Sequence, residues 1–120
     1  MQVKEIVSAV FDLGSHVRYV AIANGQDVIT RQRAELSHAS ASESDRFEEL
    51  LVNPALLTLA TQRGEIDCGG LRYVIVRYGN FFQVVVPRPE GGHVSVAVEP
   101  EADPVPVGEA VIELLDQQAA

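Results

Sequence analysis

The sequence predicts an α+β domain, an antiparallel sheet of five strands with helices on both faces, and three observations carry that reading. Residues 70–99, GLRYVIVRYGNFFQVVVPRPEGGHVSVAVE, have the pattern of three antiparallel strands in a row. Residues 17–23 are apolar and rich in β-branched types. The Asn24-Gly25 turn signal and a second extended run at 28–33 follow them, which adds a hairpin. Apolar residues at helical spacing occupy the stretches before, between and after these two blocks.

Taken in order, Val3, Ile6, Val7, Val10 and Phe11 predict a short amphipathic helix over residues 3–13, with Gly14 as its stop. Thr30, Arg31, Gln32 and Arg33 make the 28–33 strand polar, as suits a sheet edge where charge discourages unwanted pairing. Residues 35–45, ELSHASASESD, form a hydroxyl-rich loop that ends in a helix cap, with Ser42 and Asp45 at capping-box spacing. A central helix over 44–63 carries Phe47, Leu50, Leu51, Leu56, Leu57, Leu59 and Ala60. Asn53-Pro54 predicts a break and restart in it, and Gly64 its end. Residues 65–70 lead into the third strand, and 107–117 form a last helix with Val107, Ala110, Val111, Leu114 and Leu115 inside.

In the three-strand block, Gly79-Asn80 serves as a two-residue hairpin loop. Ile75 then faces Val84, and Tyr73, Ile75, Phe82, Val84 and Val86 share one face. Residues 87–92 connect to a strand with Val94, Val96 and Val98 inward and His93, Ser95 and Ala97 outward. The opposite face shows Val74, Val76, Phe81 and Val85, which a wet sheet face would not. Together with the leucine-rich helix, this is more apolar surface than one small chain hides, and such patches mark association.

At 120 residues and 13.0 kDa the chain, residues 1–120, is one domain with a single core. Its net charge of −8, with Lys4 and eight dispersed arginines as the only Lys and Arg residues, argues against nucleic acid. One cysteine, Cys68, excludes an internal disulfide and cannot alone build a zinc site. The N-terminal residues lack a signal-peptide pattern, and no apolar run reaches the roughly 20 residues of a membrane span. The expectation is a cytoplasmic protein without membrane insertion.

Candidates for chemistry are weak. Cys68 with His16, His38 or His93 would make a nucleophile and base, yet Cys-Gly-Gly reads more simply as a turn. Glu35, Glu43, Asp45, Glu48 and Glu49 gather at the start of the central helix, where the helix dipole and a solvated face explain them. Neither GxxxxGK[ST] nor GxGxxG occurs, and the histidines have no metal-ligand spacing. The expectation is no enzyme, catalytic residue, cofactor or metal.

The element order, the 17–23 strand closing on Asn24-Gly25, the central helix ending in a glycine-rich loop, and GGLRYVIVRYGNFFQVVVP running into HVSVAVE resemble the roadblock/dynein light chain family, a branch of profilin-like folds. The resemblance implies a sheet of order 2-1-5-4-3, with the central helix on one face and the terminal helices on the other. It further implies a homodimer in which third strands pair edge to edge and central helices pack together. The interface expected here is Leu71, Tyr73, Val74, Val76 and Tyr78 of the edge with Leu50, Leu51, Leu56 and Leu57 of the helix. Members of that family are non-catalytic platforms for Ras-like small GTPases or light chains of motor complexes. The alternative is a profilin-like sensor holding a small molecule between sheet and central helix, with Tyr73, Arg72 or Arg77 as polar contacts.

Overall fold

The computed structural model describes residues 2–119. Helix α1 (Val3–Phe11) leads into the hairpin β1 (Val17–Asn24) and β2 (Asp27–Gln32). A helical rod follows, made of α2 (Ser42–Phe47), one π-turn (Glu48–Val52) and α3 (Asn53–Asp67). Strands β3 (Val74–Arg77), β4 (Phe82–Pro87) and β5 (His93–Val98) complete the sheet, and α4 (Val105–Ala119) ends the described chain. The strand order is β2-β1-β5-β4-β3, antiparallel throughout. The five-stranded α+β architecture expected from the sequence is therefore present, with Ile75 opposite Val84 in the β3–β4 pair.

The main core lies between the sheet and the two terminal helices. Ile6, Val7, Val10 and Phe11 of α1 and Val107, Val111 and Leu115 of α4 pack on Val20, Ile22, Val84, Val86, Val94, Val96 and Val98. Side chains alternate along a strand, so this single face takes every second residue of β1, β4 and β5. On the other face the cluster is small, with Tyr19, Ala21 and Ala97 at its centre and Val28 and Phe81 beside it. The helical rod crosses that face, its π-turn against β1 and α3 against β3 and β4.

Several local expectations are corrected. His93, Ser95 and Ala97 point away from the main core but are buried, because the helical rod covers them. The rod does not break at Asn53-Pro54. Asn53 is helical at φ −62° and ψ −44°, and its N–H reaches back to the Glu48 carbonyl, the wider i→i+5 spacing of a π-turn. That widening gives the proline ring room where a regular turn would crowd it. The N-cap is Ala41 without a side-chain cap bond, so neither Ser42 nor Asp45 closes a capping box. Gly64 is no stop either, since the helix continues to Asp67. Gly64 is buried, its carbonyl accepts from the Cys68 and Gly70 amides, and a Cβ there would sit 3.1 Å from the Gly70 and Leu71 backbone. A glycine is required by close approach rather than by a helix end.

Candidate functional site

Three features adjoin on the sheet face that the rod crosses: the β3 edge, the outer side of the rod, and a cleft between rod and sheet. Strand β3 ends the sheet and pairs on one side only, with β4. Leu71, Tyr73, Val74, Val76 and Tyr78 are all half-buried along it. Tyr73 belongs to the opposite side, its ring against Gly108 of α4 and the main core.

On the rod, Leu50 and Leu56 are half-buried and Leu51 is 59% exposed, whereas Leu57 is only 8% exposed and faces its own sheet. Phe47, Leu59 and Ile66 are also exposed, Ile66 at 75%. A sequence reading that ends the helix at Gly64 leaves Ile66 in a loop. The longer helix adds it to an apolar side that no described residue covers.

Beneath the rod lies a polar cluster that the sequence did not foretell. Glu49, taken as part of a solvated acidic face, is 1% exposed. Its Oε2 accepts from the Tyr19 hydroxyl at 3.0 Å, and its Oε1 from Asn53 Nδ2 at 3.0 Å. His93 Nε2 lies 2.7 Å from the same Oε1. The π-turn places Glu49 and Asn53 inward together, one helical turn apart, so here the rod meets the sheet through polar groups, with apolar Leu57 following along α3. Burial, and then Glu49 beside it, push the Tyr19 phenol far above its usual range.

Two clefts flank this row. One, of about 620 Å³, opens beside Leu50, Leu57, Thr61, Pro87 and His93. The other, of about 350 Å³, lies between the start of the rod and the β3–β4 hairpin, with Asp45, Glu48, Tyr78, Phe81 and Gln83 in its wall. A register shift in β1 between Val17 and Tyr19 lets Arg18 and Tyr19 both line this second cleft, as a bulge re-aims a side chain. Arg18 is held there by Glu99 at 2.7 Å and by the Ser37 carbonyl at 2.8 Å, which ties the serine-rich loop across the cleft mouth.

Tyr78 donates to Glu48 Oε1 at 2.7 Å, and burial with that contact pushes its phenol up to about 12. Burial raises the Asp45 carboxyl, and Glu49 adds to the rise. Glu48 is raised by burial against the lowering effect of the Tyr78 bond. Among the described residues, Glu48 Oε2 and Asn53 Oδ1 are buried without a hydrogen-bond partner.

The polar groups named for a small-molecule pocket do not converge in either cleft. Arg72 pairs with Glu109 of α4 at 2.6 Å, Tyr73 faces α4, and Arg77 is exposed over Phe82. Cys68 is exposed as the C-cap of α3, and its thiol bonds Asp67 Oδ1 at 3.4 Å rather than a histidine. No helix among the described residues is long and apolar enough to cross a membrane.

No protein-family model matches the sequence, and no curated protein matches it. Solved structures do. A Roadblock/LC7 domain from Streptomyces avermitilis superposes with a TM-score of 0.73 at 16% identity, over 98% of this chain and 94% of that one. The gliding protein MglB from Thermus thermophilus gives 0.63 at 11% identity, over 95% and 88%. MglC from Myxococcus xanthus gives 0.60 at 13%, over 98% and 96%. At such identities the likeness is one of fold, and the fold of this chain is that of Roadblock/LC7 domains.

Proposed function

We propose that the chain is a non-enzymatic interaction module that works as a homodimer and holds or regulates a Ras-like small GTPase. One observation carries the reading: an unpaired β3 edge lies beside an outward helix side bearing Phe47, Leu51, Leu59 and Ile66. An apolar helix side next to an open strand is a poor surface to leave in water, and a second copy related by a two-fold axis covers both features at once. The 2-1-5-4-3 fold shared with Roadblock/LC7 domains supports the same arrangement. Partner binding then falls to the surfaces of the dimer that remain open.

Val74→Asp or Leu51→Asp places a charge in the proposed contact and is expected to leave a folded monomer of 13.0 kDa by light scattering. A mass unchanged from the parent removes this interface. For the GTPase, the expected result is co-elution with a Ras-like GTPase of the same host in one nucleotide state and not the other. The second reading, a small-molecule sensor, is favoured by the 620 Å³ cleft, which is within the size range of ligand sites. Native mass spectrometry of the purified protein tests it through any added mass.

A further inference from the structure

Among its described lining residues, the 350 Å³ cleft holds more carboxylates than cations. Asp45, Glu48 and Glu49 all line it, and Arg18 is its one cation among the described residues. Arg18 is already committed to Glu99 and to two carbonyls of the serine-rich loop. The upward shifts of Asp45 and Glu48 fit the same imbalance, since burial and neighbouring carboxylates both disfavour their charged forms.

The walls are as specific as the charge. Tyr78 and Phe81 meet edge to face at 5.6 Å, and Phe47 stands exposed at the mouth. Gln83, 3% exposed, lines the floor, and its amide nitrogen donates to Ser95 Oγ. No described residue donates to its Oε1, so this acceptor is open to a donor arriving in the cleft.

We propose that this cleft is the docking site for an arginine side chain of a protein partner. A guanidinium is planar, stacks on aromatic faces and forks onto carboxylates, and it offers further N–H donors to an amide oxygen. A lysine ammonium would satisfy the charge but not a planar, forked contact to a carboxylate. The volume is near the lower end for ligand sites, which suits one inserted side chain better than a nucleotide-sized molecule. The inference rests on reading the chain as a protein-binding module, but it does not depend on the dimer contact.

The test is an NMR titration of the 15N-labelled full chain with N-acetyl-arginine amide and with its neutral isostere, N-acetyl-citrulline amide. The expected result is saturating shifts confined to the amides around Asp45, Glu48, Gly79 and Asn80, with a Kd on the order of a millimolar for arginine. Citrulline should bind at least roughly tenfold more weakly, as should arginine to Glu48→Gln or Asp45→Asn, whose spectra also report whether each remains folded. Equal responses to the two compounds overturn the proposal. So do non-saturating shifts scattered over surface carboxylates such as Glu101 and Glu113, or undiminished binding by both folded variants. Agmatine bearing the same head group tests a free metabolite as the occupant, and tighter binding of agmatine than of the arginine amide also overturns it. The solution mass of the parent protein is measured separately, so failure here and failure of the dimer are told apart.

Discussion

Replacing Glu49 by alanine removes the shared partner of three buried groups, the Tyr19 hydroxyl, the Asn53 amide and His93 Nε2. Each buried group left without a partner costs about 1–3 kcal/mol. The full sum is not expected, because Glu49 borders both clefts and water can enter to meet part of the loss. Relief of repulsion with Asp45 and Glu48 offsets a further fraction, at most about 1 kcal/mol for such partly solvated carboxylates. The net destabilisation is therefore about 2–4 kcal/mol. Urea unfolding followed by circular dichroism at pH 7 and fixed protein concentration measures it, the concentration being held because association adds to apparent stability. With a slope of about 1.5 kcal/mol per molar urea for a chain of this size, the midpoint falls by about 2 M. Glu49→Gln keeps the shape and one carbonyl oxygen and should lose about half as much. A Glu49→Ala midpoint within about 0.3 M of the parent would mean that this cluster does not hold the rod to the sheet.

Asp45→Asn should stabilise the protein at pH 7 by up to about 1 kcal/mol, since the folded state raises the Asp45 pKa and so penalises its charged form. A raised folded-state pKa means stability present below the unfolded value and lost as pH rises through the folded one. The advantage of asparagine should therefore fade on acidification below the Asp45 range, and an advantage constant with pH contradicts the charge explanation. Gly64→Ala improves intrinsic helix propensity by about 1 kcal/mol but drives a Cβ to 3.1 Å from the tethered Gly70–Leu71 backbone. The packing effect should win and lower stability by about 1 kcal/mol, and a rise in melting temperature contradicts it.

The sheet was legible because its signals are local. Gly79-Asn80 set the hairpin that brings Ile75 opposite Val84, and the polar residues of β2 marked an edge. The strand order came through resemblance, since alternation alone does not say which strands are neighbours. The site was less legible, for physical reasons that differ residue by residue. Glu49 stands in an acidic run whose other members are exposed or only half-buried, and only its partners Tyr19, Asn53 and His93, remote or polar in sequence, reveal that it is fully buried. The π-turn has no periodic signature, and Asn53-Pro54 resembles an ordinary break. The bulge at Arg18 re-aims a residue that strict alternation would assign to the main core face. Gly64 serves a close contact with residues of a loop, and a lone glycine in a helical pattern does not distinguish that from a stop.

Sedimentation equilibrium of the parent chain at micromolar concentration weighs the open β3 edge and the uncovered helix side against water. A particle of twice 13.0 kDa, whose β3 amides are protected from hydrogen exchange as a paired strand's would be, is the predicted result. A particle of 13.0 kDa at every concentration, with β3 amides exchanging freely, contradicts it.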